Sequence, residues 1–142
     1  MSQVPVLNKP LSQSCTLLVA DDDSAMRSLL VDELSDNGCQ VIESVDGHDV
    51  FSKLKIYVPN LVITDLKMPG GGFEYLQKLK EVLHNCPIIL ITAFGNSQTK
   101  KKALAYGMAA YFDKPVRVRD LKGALREFCP LCQGDTCQIF PL

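Results

Sequence analysis

The chain has 142 residues, 46% of them hydrophobic, which suits one domain with a substantial core and leaves little room for two. Lys plus Arg number 15 against 16 Asp plus Glu, a net charge of −1, which excludes a strongly basic nucleic-acid binder and an acidic disordered tail. No apolar run approaches the roughly 18 residues of a membrane span, and Met1–Ser14 lacks the apolar stretch of a secretory signal, so the expected place is the cytoplasm.

Residues 1–14 are polar, carry two prolines and read as a flexible leader. Thr16-Leu17-Leu18-Val19-Ala20 is an apolar run suited to a strand buried on both faces. Ser24 is the expected N-cap of a helix with Met26, Leu29, Leu30 and Leu34 on its apolar stripe, stopped at Asn37-Gly38. Val41-Ile42 marks a weaker strand, and Gly47–Ile56 a helix carrying Val50, Phe51 and Leu54. Leu61-Val62-Ile63-Thr64 is the third strand, ending at Asp65. Pro69 and Gly70-Gly71-Gly72 form a loop before a helix with Phe73, Leu76, Leu79 and Leu83. The fourth strand spans Pro87–Ile91 and is followed by Thr92. Ser97–Tyr106 is a polar, basic helix whose Lys100-Lys101-Lys102 run suits a solvated face. Ala109–Phe112 is a short fifth strand, and Val118–Phe128 a last helix with Leu121, Leu125 and Phe128 inward. Five βα units over residues 15–128 predict an α/β domain: a parallel sheet with helices on both faces.

Six cysteines stand at 15, 39, 86, 129, 132 and 137. Without an export signal they read as buried thiols rather than a disulfide framework. The tail, residues 129–142, pairs Cys129 with Cys132 as C-x-x-C and adds Cys137. A zinc site would want a fourth ligand, and the only histidines are His48 and His84. A tail folding back through Ile139, Phe140 and Leu142 is the expectation.

In an open α/β sheet the functional crevice lies at the carboxyl ends of the strands. Just past those ends stand Asp21, Asp22, Asp65, Thr92 and Lys114. Clustered carboxylates repel, and a hard divalent cation such as Mg²⁺ relieves that repulsion. Lys114 supplies positive charge and Thr92 a hydrogen bond for a phosphoryl group, and an aspartate is a competent nucleophile toward phosphorus. The set therefore has the parts for an aspartyl phosphate.

At these residues the chain resembles the receiver domain of bacterial two-component response regulators, in its single-domain chemotaxis form. The resemblance runs through Leu17–Arg27, through Leu61–Pro69, through Ile89-Leu90-Ile91-Thr92-Ala93 and through Tyr111-Phe112-Asp113-Lys114-Pro115. It implies a flavodoxin-like doubly wound (βα)5 fold with strand order 2-1-3-4-5. It implies that Asp65 accepts a phosphoryl group from a histidine kinase or phosphotransfer protein. It implies Mg²⁺ on Asp22, Asp65 and the Lys67 backbone carbonyl, with Asp21 acting through water. Lys114 and Thr92 then bind the phosphoryl group, Thr92 and Tyr111 are the switch, and Lys114-Pro115 is a cis bond. Partners would dock on the surface of the fourth helix, fifth strand and fifth helix. Three features depart from the family: the loop Met68–Phe73 is one residue short, lacks the usual acidic residue before the glycine and is expected to be mobile; Lys67 and Phe94 stand where water access is tuned; and the tail from Cys129 does not resemble the family. A bulky Phe94 predicts slow autodephosphorylation.

Two other functions are open. A Mg²⁺-dependent aspartyl-phosphate hydrolase of the haloacid-dehalogenase type would use Asp21, Asp23 and Thr92, but leaves Asp65 unexplained. A receiver used only as an unphosphorylated scaffold would need none of the site.

Overall fold

A computed structural model describes residues 15–35, 38–93 and 95–129. The leader, Asn37, Phe94 and the tail beyond Cys129 lie outside the described residues, and with them the expectations placed there. Strand β1 (Thr16–Ala20) is followed by helix α1 (Ser24–Ser35), then β2 (Gln40–Ser44) and α2 (Gly47–Leu54). Next come β3 (Leu61–Thr64), α3 (Phe73–Val82), β4 (Ile88–Thr92) and α4 (Ser97–Ala105). The chain closes with β5 (Ala110–Asp113) and α5 (Val118–Phe128). All five strands are parallel and lie in the order β2-β1-β3-β4-β5, the flavodoxin-like arrangement expected from the resemblance.

The strands bury both faces, and their two-residue period sorts the core into two layers. Leu17, Val19, Leu61, Ile63, Ile89 and Ile91 pack with Leu30 and Leu34 of α1 and with Leu121 and Leu125 of α5. Leu18, Val62, Ile88 and Leu90 face the other way, onto Val50 of α2, Leu76 and Leu79 of α3 and Ala103 of α4. Leu29 was expected on the α1 stripe but is 47% exposed. Met26, Leu30 and Leu34, four residues apart, make the buried stripe, and Leu29 falls off its edge.

Helix entry is set by side-chain oxygens. Asp23, rather than Ser24, caps α1: its Oδ1 accepts from the amides of Ala25 at 3.0 Å and Met26 at 3.2 Å. A carboxylate directly before the first turn also suits the positive end of the helix dipole. Asp46 and Asn96 cap α2 and α4 in the same way. Helix α3 enters from Gly72, whose φ of 96° is costly for any side chain. The glycine loop, expected to be mobile, carries three backbone hydrogen bonds: Gly71 to Met68, Gly72 to Leu66, and Gly47 to Pro69. A Cβ on Gly47 would stand 2.0 Å from the Gly70 carbonyl oxygen, so the loop packs directly on the start of α2. The Lys100–Lys102 run is exposed as expected, with Lys102 Nζ 4.4 Å from the centre of the Phe73 ring.

Candidate functional site

Register fixes where the acidic groups stand. Ala20 pairs with Thr64 across β1 and β3, so Asp21 and Asp65 both step off the sheet at the same level. The Asp65 amide donates to the Ala20 carbonyl at 2.9 Å, and the Asp21 amide to the Ser44 carbonyl at 3.1 Å. Across β4 and β5 Thr92 pairs with Asp113, and the Lys114 amide donates to the Thr92 carbonyl at 2.9 Å. Two ladders thus carry three carboxylates, a hydroxyl and an ammonium to one edge. The Lys114-Pro115 bond is cis, as the resemblance implied.

Carboxylate oxygens of Asp21, Asp22 and Asp65 lie within 4.8 Å of one another. Asp21 and Asp65 are buried and Asp22 is exposed. Lys114 Nζ donates to Asp21 Oδ2 at 2.7 Å and to Asp65 Oδ2 at 3.0 Å. The other Asp65 oxygen accepts from the Leu66 amide at 2.7 Å and the Lys67 amide at 3.2 Å. Both oxygens of the expected nucleophile are therefore oriented before any donor arrives. Burial pushes the Asp65 carboxyl above the usual carboxylate range, Lys114 works against that rise, and Asp21 adds to it. Burial also works against the charge on Lys114, but its hydrogen bonds to Asp21 and Asp65 outweigh burial and hold it above the ordinary lysine value.

Three carboxylates and one ammonium sum to a formal charge of −2, the charge a divalent cation balances. The acidic groups offer oxygen alone, the donor Mg²⁺ takes. Asp23, the second carboxylate of the hydrolase reading, instead spends Oδ1 on the α1 cap.

Thr92 is fully buried, and its Oγ1 has no hydrogen-bond partner among the described residues. An orphaned buried hydroxyl costs about 1–3 kcal/mol. Tyr111 is half-buried and points its hydroxyl at Asp113 Oδ1, 2.9 Å away. A Cβ on Gly95 would fall 1.4 Å from that hydroxyl, so the phenol lies across Gly95. Burial, then the hydrogen bond to Asp113, pushes the Tyr111 phenol up to about 12.

Sequence reasoning missed two supports. Tyr75 of α3 is buried with its hydroxyl 2.8 Å from Thr64 Oγ1, which itself donates to the Asp65 carbonyl at 2.9 Å. Arg27 of α1 donates to the Asp21 carbonyl at 2.6 Å and to Glu43 Oε1 at 3.1 Å. Both residues sit on helices, where period alone gives them a core or a solvent role. Tyr75→Phe is expected to cost about 1 kcal/mol, because Thr64 keeps its bond to Asp65; chemical denaturation with an unchanged slope would check it.

The family model described as the response regulator receiver domain matches residues 17–126. Sporulation initiation phosphotransferase F of Bacillus subtilis (strain 168) is 28% identical over 116 residues, 81% of this chain and 94% of that protein. The probable transcriptional regulator ycf27 of Porphyridium aerugineum is 34% identical over 111 residues, 78% of this chain and 46% of that protein. The chain thus spans nearly all of the first relative and about half of the second. The CheY-like receiver domain protein of Methanospirillum hungatei JF-1 superposes with a TM-score of 0.78 at 24% identity, over 86% of this chain and 98% of that one. Fold, the placement of the acidic cluster and a family match over most of the chain agree: this protein belongs to the response regulator receiver domain family.

Proposed function

We propose that the chain is a phosphorylation-controlled switch in which Asp65 accepts a phosphoryl group from a histidine kinase or phosphotransfer protein. The observation that carries this is the double hold on Asp65, Lys114 on one oxygen and two backbone amides on the other. In the transfer an Asp65 oxygen attacks phosphorus, and the bond to the donor nitrogen breaks with its electron pair staying on the imidazole. Lys114 follows the negative charge onto the phosphoryl oxygens, and the Leu66 and Lys67 amides keep the carboxylate in line. Asp22, Asp65 and the Lys67 carbonyl would hold Mg²⁺, with Asp21 through water. The ion supplies charge neutralisation at the phosphoryl group. The chain promotes only its own phosphorylation and dephosphorylation, and we place it in the cytoplasm; no helix among the described residues is long and apolar enough to cross a membrane.

The switch we infer uses two residues, Thr92, whose buried hydroxyl has no partner among the described residues, and Tyr111 with its bond to Asp113. A phosphoryl group gives the orphaned Thr92 hydroxyl an acceptor, and the space Thr92 vacates is open to Tyr111. A ligand shifts such an equilibrium only through its differential affinity for the two arrangements. Breaking the Tyr111–Asp113 bond then alters the surface formed by α4, β5 and α5, where a downstream protein would dock. Amide and side-chain NMR with Mg²⁺ and an acyl phosphate tests this. Shifts at Thr92 and Tyr111 that vanish in Asp65→Asn support the switch; shifts confined to Asp21, Asp22 and Asp65 would contradict it.

Metal binding has its own readout. Mg²⁺ at one hundred times its Kd should stabilise the protein by about 2.7 kcal/mol, seen as a rise in Tm. Asp22→Ala should remove most of that rise, and Ca²⁺ should substitute only weakly.

A further inference from the structure

Two residues outside the acidic cluster build the place where the Tyr111 phenol rests. Side chains alternate along β5, so Tyr111 and Asp113 stand on one face of the sheet. Register sets Tyr111 beside Leu90 and Asp113 beside Thr92, on the face covered by α3 and α4. The Tyr111 hydroxyl donates to Asp113 Oδ1 at 2.9 Å. Asp113 makes no ion pair among the described residues and stands outside the carboxylate group that could hold a cation. The phenol is what this carboxylate holds.

Gly95, between β4 and α4, closes the other side. A Cβ built there would lie 1.4 Å from the Tyr111 hydroxyl oxygen, 2.7 Å from its Cζ and 3.0 Å from Asp113 Oδ1. Non-bonded heavy atoms settle at about 3.5–4.0 Å, so the phenol fits only because residue 95 has no side chain. Gly95 is not held in the left-handed region, so its backbone admits alanine. What excludes a side chain there is the phenol and the carboxylate it bonds.

We propose that Gly95 and Asp113 are positioning residues that seat the Tyr111 phenol outward, and that this seat sets how often the unphosphorylated switch turns by itself. The inference rests on the switch reading of Thr92 and Tyr111 and names its regulation. Turning the ring breaks one hydrogen bond to an exposed carboxylate, and water then replaces the phenol. Loss of that bond should raise the unseated fraction of Tyr111 about threefold to tenfold. Filling the seat acts more strongly, because a methyl group on residue 95 and the hydroxyl would occupy one place. Asp113 also directly precedes Lys114, whose amide bonds the Thr92 carbonyl. The seat is therefore one residue from the ammonium that meets the phosphoryl charge. Phosphorylation works against this hold, and a weaker hold leaves more of the resting protein switched.

NMR of the full chain with ¹³C-labelled tyrosine, without any phosphodonor, tests this. Overhauser contacts from the Tyr111 ring to the Gly95 α-protons mark the seated phenol, and contacts to the Thr92 methyl mark a turned ring. The wild type should show the first. Asp113→Ala should shift the ring resonances toward the turned state by the factor above, and Asp113→Asn, which keeps an acceptor oxygen, should largely restore them. Gly95→Ala should lie at the far end of the same line of shifts. With phenylalanine at position 111 and its ring labelled, Asp113→Ala should change nothing further, whereas a merely structural role for Asp113 would persist there. A ring that stays seated in Asp113→Ala or Gly95→Ala, or an equal Asp113→Ala effect without the hydroxyl, would overturn the seat and leave the switch reading standing. An unseated ring that never contacts the Thr92 methyl would overturn the switch reading, and with it the claim that the seat regulates it.

Discussion

Replacing Lys114 with alanine is expected to slow phosphorylation of Asp65 by about 10²–10³-fold, the usual loss for one preorganised charge-stabilising donor. The argument rests on the 2.7 and 3.0 Å contacts to Asp21 and Asp65. Without the ammonium, two buried carboxylates face each other with no cation between them. Removing one partner of a fully buried pair costs about 3–5 kcal/mol. Lys114 is 17% exposed, and Asp65 can take up a proton, so about 2 kcal/mol is expected here without Mg²⁺. The pH dependence has a definite sign. A carboxyl raised in the folded state contributes stability at low pH that is lost as pH rises through its folded pKa. Loss of Lys114 removes a lowering influence on Asp65, so that decline should move to higher pH. Lys114→Arg should recover stability without recovering the rate, because a planar fork replaces a point charge. Rates from stopped-flow phosphorylation and Tm across pH measure both effects. An unchanged rate in Lys114→Ala would remove the lysine from the mechanism.

Thr92→Val is expected to act in opposite directions on the two states. In the unphosphorylated protein it deletes a buried hydroxyl with no partner among the described residues and keeps the shape, which should stabilise the fold by about 1 kcal/mol. In the phosphorylated protein it deletes a hydrogen bond to a charged group, worth about 1.5–3 kcal/mol. Phosphorylation should therefore proceed while its effect on the α4–β5–α5 surface drops by about tenfold or more. Denaturant titration of the unphosphorylated variant and the NMR response of Tyr111 separate the two. A destabilised unphosphorylated variant would mean that the hydroxyl already serves a structural role.

Much of this site is written in the chain in readable form. The runs at Leu17–Ala20, Leu61–Thr64 and Ile88–Ile91 are apolar on both faces because both faces are covered. Each ends at a polar residue, and parallel pairing brings those ends to one edge without further information. The acidic cluster and Lys114 follow from that topology. Three features do not. The Asp23 cap competes with Ser24, and both residue types are good caps, so only backbone geometry decides. Arg27 reaches the Asp21 carbonyl directly and Tyr75 reaches the Asp65 carbonyl through Thr64, contacts that depend on helix placement rather than period. The meeting of Cys15 and Cys129, with Sγ atoms 3.2 Å apart, spans nearly the whole domain, and nothing local to either residue foretells it. Cys15 is disulfide-bonded, contrary to the expectation of thiols throughout.

Intact mass after incubation with Mg²⁺ and an acyl phosphate, beside Asp65→Asn and a metal-free control, tests the central claim most directly. The account predicts a single phosphoryl adduct that needs both the metal and Asp65, trapped by reduction as a modified residue at position 65. An adduct that persists in Asp65→Asn, or none under conditions where Mg²⁺ raises the Tm, would contradict it.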